Sequence, residues 1–416
     1  MLLQNVFHDG QVCDILIQGN KIAQIAPHII IPNEETLDCS GKAILPSFAN
    51  THTHASMMFL RGIGEDKPLF EWLNESIWPL ENKLKPEHIY PLSRFAILEM
   101  IKTGTTFFCD MYADPDETVK AVRDMGIRAM IPYVGAMDVF DANEYPKRLT
   151  KATDYMSTPN SCPRVIKGLS CHAIYTTSEK MIRTFYEMAR EEDTYFHIHI
   201  SETQKEVDDC INQFGCRPVE LLHKWGVLGP KTILAHAVHL NDTEIKILAE
   251  TKSILAHCPT SNLKLNSGAM DLQKYLDNGL NITLGTDSVS SNNSLSMISE
   301  MKLAALSAKA VSRSPTAGKV DDIFAIATRN GFQAFNINAG KIEEGALADF
   351  ILVDLNNPFL KPNTNLKSNM IYAADSSCIT DVFCDGKQVM INGHVNDEDN
   401  IKKAFETVCQ DLFYNK

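Results

Sequence analysis

Residues 43–54, AILPSFANTHTH, and 194–202, TYFHIHISE, decide the fold. Each is a short apolar run that ends in polar residues able to do chemistry. Six further runs share that form: TTFFCDMY (105–112), RAMIPYVG (128–135), VIKGLSCHA (165–173), TILAHAVHL (232–240), SILAHCP (253–259) and NITLGTDS (281–288). Runs of this length bounded by turn residues read as buried strands. Helix-like stretches lie between them. Residues 86–103 open on Pro86 and close at Gly104, and 114–126 carry acids early and end on Gly126, as capped helices do. Strands alternating with helices predict a parallel sheet, and eight such units predict a closed (β/α)8 TIM barrel, an α/β fold.

Both ends of the chain differ from this rhythm. CDILIQGNKIAQIAP near the start reads as two strands turning at Gly19-Asn20, and DVFCDGKQVMINGH near the end repeats the pattern at Asp385-Gly386. Each flank is too small to fold alone. The expected organisation is therefore a composite β-sandwich from residues 1–48 and 345–416, the latter with a C-terminal helix, around a barrel at 49–344.

Composition narrows the function classes. Of 416 residues, 44% are hydrophobic and 22% charged, with 21 Gly and 18 Pro, which excludes disordered, collagen-like and low-complexity chains. The net charge is −13 and no basic run interrupts it, which argues against a nucleic-acid or anionic-membrane surface. The start lacks a signal-peptide pattern, and no run of apolar residues is long enough to span a bilayer. The eleven cysteines show no C-x-x-C spacing, and several lie inside apolar runs, favouring a reducing, cytoplasmic setting over a Cys-rich zinc site.

In a barrel of this kind the active site gathers at the C-terminal ends of the strands. The first run ends in His52-Thr53-His54, and residues i and i+2 of a strand share a face, so both imidazoles can reach one point. The fifth offers His199 at its end, with His197 one pleat deeper as a packing or supporting residue, and Glu202 where the strand turns. The sixth ends at His236 and the eighth at Asp287. Imidazoles with a carboxylate suit Zn²⁺, with Fe²⁺ the second choice. The expected ligands of one divalent ion are His52, His54, His199 and Asp287. His236 and Asp287 then orient or deprotonate a water whose pKa the ion lowers, and Glu202 passes a proton to substrate and leaving group.

These ends and their surroundings resemble the amidohydrolase superfamily, in the adenosine-type aminohydrolase branch that holds 5-methylthioadenosine/S-adenosylhomocysteine deaminases and, further off, triazine chlorohydrolases. The matching segments are NTHTHASMMFLRG (50–62), FEWLNESIWPLE (70–81), GLSCHAIYTTS (168–178), HIHISET (197–203), ILAHAVHL (233–240), HCPTSNLKLNSG (257–268) and GTDSVSSNN (285–293). The resemblance implies the same four ligands, with Glu202 and His236 as acid/base groups. It further implies that Glu81 binds ribose hydroxyls, that His172 binds the purine, and that Trp72 covers the base or the 5′ arm. The pattern expects an Arg where this chain has Val134, and a second that corresponds to Arg148. Ser288 and Ser296 stand where a Gly and an acid are expected. Losing one cation weakens the case for a substrate with an amino-acid carboxylate and favours uncharged tails. The implied partners are a small nucleoside or purine and further copies of the chain, with no nucleic acid and no membrane.

Other readings share part of this pattern. A binuclear site with a bridging lysine is disfavoured, because the fourth run ends in His172 and carries Lys167 near its beginning. Guanine, other purine or pterin deaminases and triazine chlorohydrolases keep the same metal centre. A non-catalytic assembly protein would have lost ligands, and this chain retains all of them. His239 and His257 are expected to pack.

Overall fold

The structure, a computed structural model, describes residues 1–414. All eight runs are strands of one parallel sheet: β1 (Phe48–Thr53), β2 (Thr105–Asp110), β3 (Arg128–Gly135), β4 (Val165–Ala173), β5 (Phe196–Ile200), β6 (Thr232–His236), β7 (Ile254–His257) and β8 (Asn281–Leu284). The expected helices follow, Pro86–Lys102 ahead of Gly104 and Pro115–Met125 ahead of Gly126, both glycines having positive φ.

Side chains and loop backbone close the barrel between β8 and β1. Thr51 Oγ1 meets Thr283 Oγ1 at 2.7 Å, Asn50 pairs with Thr286 through Oδ1 and Nδ2, and Asp287 N donates to His52 O at 2.9 Å. Gly285 permits this approach, since a Cβ there would lie 2.9 Å from the His52 Cβ and backbone nitrogen. The lower barrel is filled by Phe107, Met130, Tyr195 and Ile254, plugged by Phe332 and Phe335 from the chain after β8. With its floor packed, the barrel opens at the strand C-termini.

The termini pair as anticipated. Strands from 2–46 and 350–395 form one nine-stranded mixed sheet, joined where Lys42–Pro46 runs antiparallel to Phe350–Asp354. Its core holds Leu3, Ile15, Ile44, Leu352 and the stacked pair Phe350–Phe383, centroids 4.4 Å apart. Arg128, at the start of β3, clamps sheet to barrel. Its Nε donates to Asp349 Oδ2 at 2.7 Å and its Nη2 to Asp385 Oδ1 at 2.6 Å. The C-terminal helix, Glu398–Tyr414, packs on helix Pro86–Lys102 through Phe405 and Phe95, and sends Val408 and Leu412 into the apolar cluster behind Trp72. No helix among the described residues is long and apolar enough to cross a membrane.

Candidate metal and active site

Four barrel strands, β1, β5, β6 and β8, converge on one buried cluster at the mouth. Asp287 Oδ1 lies 3.2 Å from His54 Nε2 and 3.5 Å from His52 Nε2, and His199 Nε2 is 3.4 Å from His54 Nε2. The ligand atoms of His52, His54 and Asp287, and likewise of His52, His199 and His236, fall within 4.8 Å of one another. Two of these residues have left-handed backbone, His236 at φ 72° and Asp287 at φ 62°. Such a conformation costs a non-glycine residue roughly 1–3 kcal/mol and persists where surrounding contacts over-determine it. Here they do: the Ala237 and Val238 amides donate to Ile200 and Ser201 carbonyls, while Ser261 and Ser291 hydroxyls both donate to Asp287 Oδ2, at 2.5 and 2.9 Å.

The donor set fits a divalent cation. His54 Nδ1 donates to Met111 O and His199 Nδ1 to His172 O, each at 2.6 Å. A carbonyl only accepts, so both rings turn a bare Nε2 lone pair toward the other. Facing lone pairs at 3.4 Å repel unless a positive charge lies between them. His52 Nε2 is fully buried with no hydrogen-bond partner, and the ionic contacts of Asp287 among the described residues are with His52 and His54. The electrostatics agree. Burial alone would lift the Asp287 carboxyl, yet its close contacts with His52 and His54 and the positive potential of His236 and His54 hold it well below the usual range. Burial pulls His54 down, but Asp287 and the Met111 carbonyl more than restore it, so His54 ends above its ordinary value. The site attracts positive charge.

Glu202 is presented by a tight turn after β5. Ser201 is left-handed at φ 50°, and the Glu206 carboxylate accepts from the Ser201 and Glu202 amides, both at 2.8 Å. Thr203 caps the following helix by accepting from Glu206 N at 3.1 Å. Glu202 is 5% exposed, accepts from Ser267 Oγ at 3.1 Å and faces His236 Nε2 at 3.7 Å. Burial, reinforced by the Asp287 charge, pushes its carboxyl up to about 8, with the Ser267 hydrogen bond and His54 opposing. Its surroundings thus favour the protonated form, as a proton donor requires. His236 is lowered by burial, and its Nδ1 accepts from Asn262 Nδ2 at 2.9 Å, leaving its proton on Nε2.

A cavity of about 360 Å³ opens above the cluster, and His54, His199, Glu202, His236 and Asp287 form its floor. Its walls bring together Trp72, Glu81, Val134, Arg148 and His172, every residue of the pocket singled out from sequence, while His52 lies buried beneath. Trp72 begins a π-helical turn, Trp72–Ile77, that closes one side. Glu81 accepts from Tyr112 OH at 2.6 Å, and burial raises its carboxyl. Burial lowers His172 to about 4, so it stays neutral, and its Nδ1 lies 2.8 Å from Thr176 Oγ1. Arg148 Nε donates to Glu144 Oε2 at 2.7 Å. Ser296 lies outside the cavity, preceding helix Met297–Ser312, whereas Ser288 lines it. His239 donates Nε2–H to Ser267 O, and His257 is buried without a hydrogen-bond partner.

Sequence reasoning passed over Tyr112, Glu144, Glu206, Ser261, Asn262 and Ser267. Two of these carry local signals: Thr203-x-x-Glu206 has the sequence form of a capping box, and Glu144 precedes Arg148 by one helical turn.

Comparison with known proteins adds to the geometry. Residues 43–389 match the model described as Amidohydrolase family. The chain is 43% identical over 381 residues to a 5-methylthioadenosine/S-adenosylhomocysteine deaminase of Thermococcus sibiricus, covering 91% of this chain and 89% of that one. It is 40% identical to a 5′-deoxyadenosine deaminase of Methanocaldococcus jannaschii, with 99% of each chain covered. The crystal structure of an adenosine deaminase from Xanthomonas campestris with bound zinc superposes with a TM-score of 0.88 at 30% identity, covering 95% of this chain and 93% of that one.

Proposed function

The chain belongs to the amidohydrolase family, and from that premise we propose that it is a zinc-dependent hydrolytic deaminase of adenosine-type nucleosides with uncharged 5′ arms. One observation carries the chemistry: the buried Glu202 carboxyl, pushed up to about 8 by its surroundings, faces His236 Nε2 at 3.7 Å on the floor of a cavity of about 360 Å³. His52, His54, His199 and Asp287 would hold Zn²⁺, with Fe²⁺ the alternative ion for the same ligands. When bound, such an ion lowers the pKa of a water so that it can attack at neutral pH.

The chain's own groups do the rest. Glu81 accepts from the ribose hydroxyls, His172 meets the purine edge and Trp72 covers the ring. Glu202 gives its proton to the ring nitrogen as water oxygen adds to C6, and His236 Nε2–H orients that water. Glu202 regains a proton from the added water and delivers it to the amine. The C6–N bond then breaks, ammonia leaves, the added hydroxyl returns its remaining proton to Glu202, and the inosine-type product remains. Without protonation the amine is a poor leaving group, which is why a buried acid beside the ring is required.

The preference for an uncharged arm rests on the far wall. Val134, Ala136 and Met137 line it, and the cation there, Arg148, is already paired with Glu144. A substrate carboxylate would have to displace that partner. The test is ammonia release by the zinc-loaded protein. 5-Methylthioadenosine and 5′-deoxyadenosine should turn over with higher kcat/KM than S-adenosylhomocysteine. Turnover of guanine alone, or chloride release from a chlorotriazine without ammonia, would overturn the assignment.

A further inference from the structure

The three imidazoles on β1 and β5 are secured in different ways. His54 and His199 each give Nδ1–H to a main-chain carbonyl, which settles their tautomers outright. His52 has no carbonyl partner. Its Nδ1 lies 3.1 Å from Nε2 of His197, the rings edge-on with centroids 5.0 Å apart, and both side chains are fully buried. The file continues inward: His197 Nδ1 is 3.4 Å from Cys109 Sγ, and that sulfur is 3.6 Å from Met130 Sδ.

An imidazole, unlike a carbonyl, can donate or accept through the same atom, so this file has two proton arrangements. In one, His52 Nδ1–H donates to His197 Nε2, His197 Nδ1–H donates to Cys109, and the thiol proton turns to Met130. In the other, the thiol donates to His197, His197 Nε2–H donates to His52, and the His52 proton moves to Nε2, facing Asp287. Both hold the same number of protons. Only the first leaves a lone pair on His52 Nε2, the atom that shares the cluster with His54, Asp287, His199 and His236.

We infer that His197 is a positioning residue that acts through His52: by accepting from Nδ1 it holds His52 in the cation-binding tautomer, while Cys109 accepts the hydrogen bond from His197 Nδ1–H at the far end of the file. His197 thereby does for His52 what the Met111 and His172 carbonyls do for the other two rings. Partners of ligating histidines are typically worth about 10- to 100-fold in metal affinity. The inference rests on the cluster being a cation site and is independent of the substrate.

The test is Zn²⁺ affinity, measured by chelator competition on the metal-stripped full chain, with the thermal midpoint recorded alongside. His197→Leu removes the acceptor and should weaken binding about 10- to 100-fold. His197→Gln can place its amide oxygen where Nε2 lay and should recover most of that loss. A packing role alone would move the thermal midpoint and leave affinity untouched. Wild-type affinity in His197→Leu, or equal weakness in the Leu and Gln variants, overturns the inference. If His197→Leu fails to fold, His197→Asn, whose amide stops short of His52, takes its place with the same expectation. A wild-type chain that binds no Zn²⁺ would overturn the cation-site reading itself, and this inference with it.

Discussion

Replacing Glu202 with Gln separates proton transfer from everything else that side chain does. The amide matches the carboxyl in size and keeps an oxygen for the Ser267 hydroxyl, 3.1 Å away, so the turn held by Glu206 has no reason to move. What disappears is the acidic proton. A positioned acid/base is worth about 10²–10⁴-fold, or about 3–5.5 kcal/mol of barrier at 1.36 kcal/mol per decade. Glu202→Gln should therefore lower kcat by that factor while KM and zinc content stay near wild type, read by continuous ammonia release and metal analysis. The pH profile supplies a second reading of the same group. Its carboxyl is raised to about 8, and the protonated form is the active one, so wild-type kcat/KM should fall as pH rises through about 8. A bound cation would draw that limb lower and not higher, because positive charge favours the carboxylate. A Gln variant within tenfold of wild type, or a rate that climbs steadily above pH 8, would remove Glu202 from the mechanism.

Other perturbations test other parts of the design. Asp287→Ala removes the one carboxylate from the cluster and should abolish both stoichiometric metal and turnover, and a variant that purifies with full metal content would show that Asp287 is no ligand. Glu144→Gln should release Arg148 and raise kcat/KM for S-adenosylhomocysteine relative to 5-methylthioadenosine, whereas an unchanged ratio would show that the pair does not govern the arm. Asp349→Ala leaves the buried Arg128 with Asp385 alone and should destabilise the fold by about 3 kcal/mol, the low end for breaking a buried ion pair. A lower thermal midpoint would report it, and an unchanged one would show that the clamp contributes nothing.

The fold was legible because its signals are local. An apolar run ending in polar residues needs only a few neighbours to be read, and eight in succession leave little topological freedom. The strand-end residues His52, His54, His199, His236 and Asp287 were legible for the same reason, since the C-terminal end of each strand lies at the barrel mouth. Which residue each supporting group touches was not legible, even for His197, whose supporting place on β5 was. His197 meets His52 across 145 residues of chain and Ser261 meets Asp287 across 26, and no periodicity links either pair. Specificity is the harder case. Val134 lies one residue before the end of β3 and was readable as a departure, but the ion pair that satisfies Arg148 lies in the helix after it. Glu144 and Arg148 stand at i, i+4, a spacing that on most helices marks a solvated pair contributing a few tenths of a kcal/mol. Only the cavity shows that Arg148, one member of this pair, lines its wall. The imidazole–carboxylate cluster is thus written at strand ends, where backbone geometry forces convergence. The proposed preference for one substrate arm rests on a peripheral helix, where one common pairing serves either surface stability or discrimination according to what lies beside it.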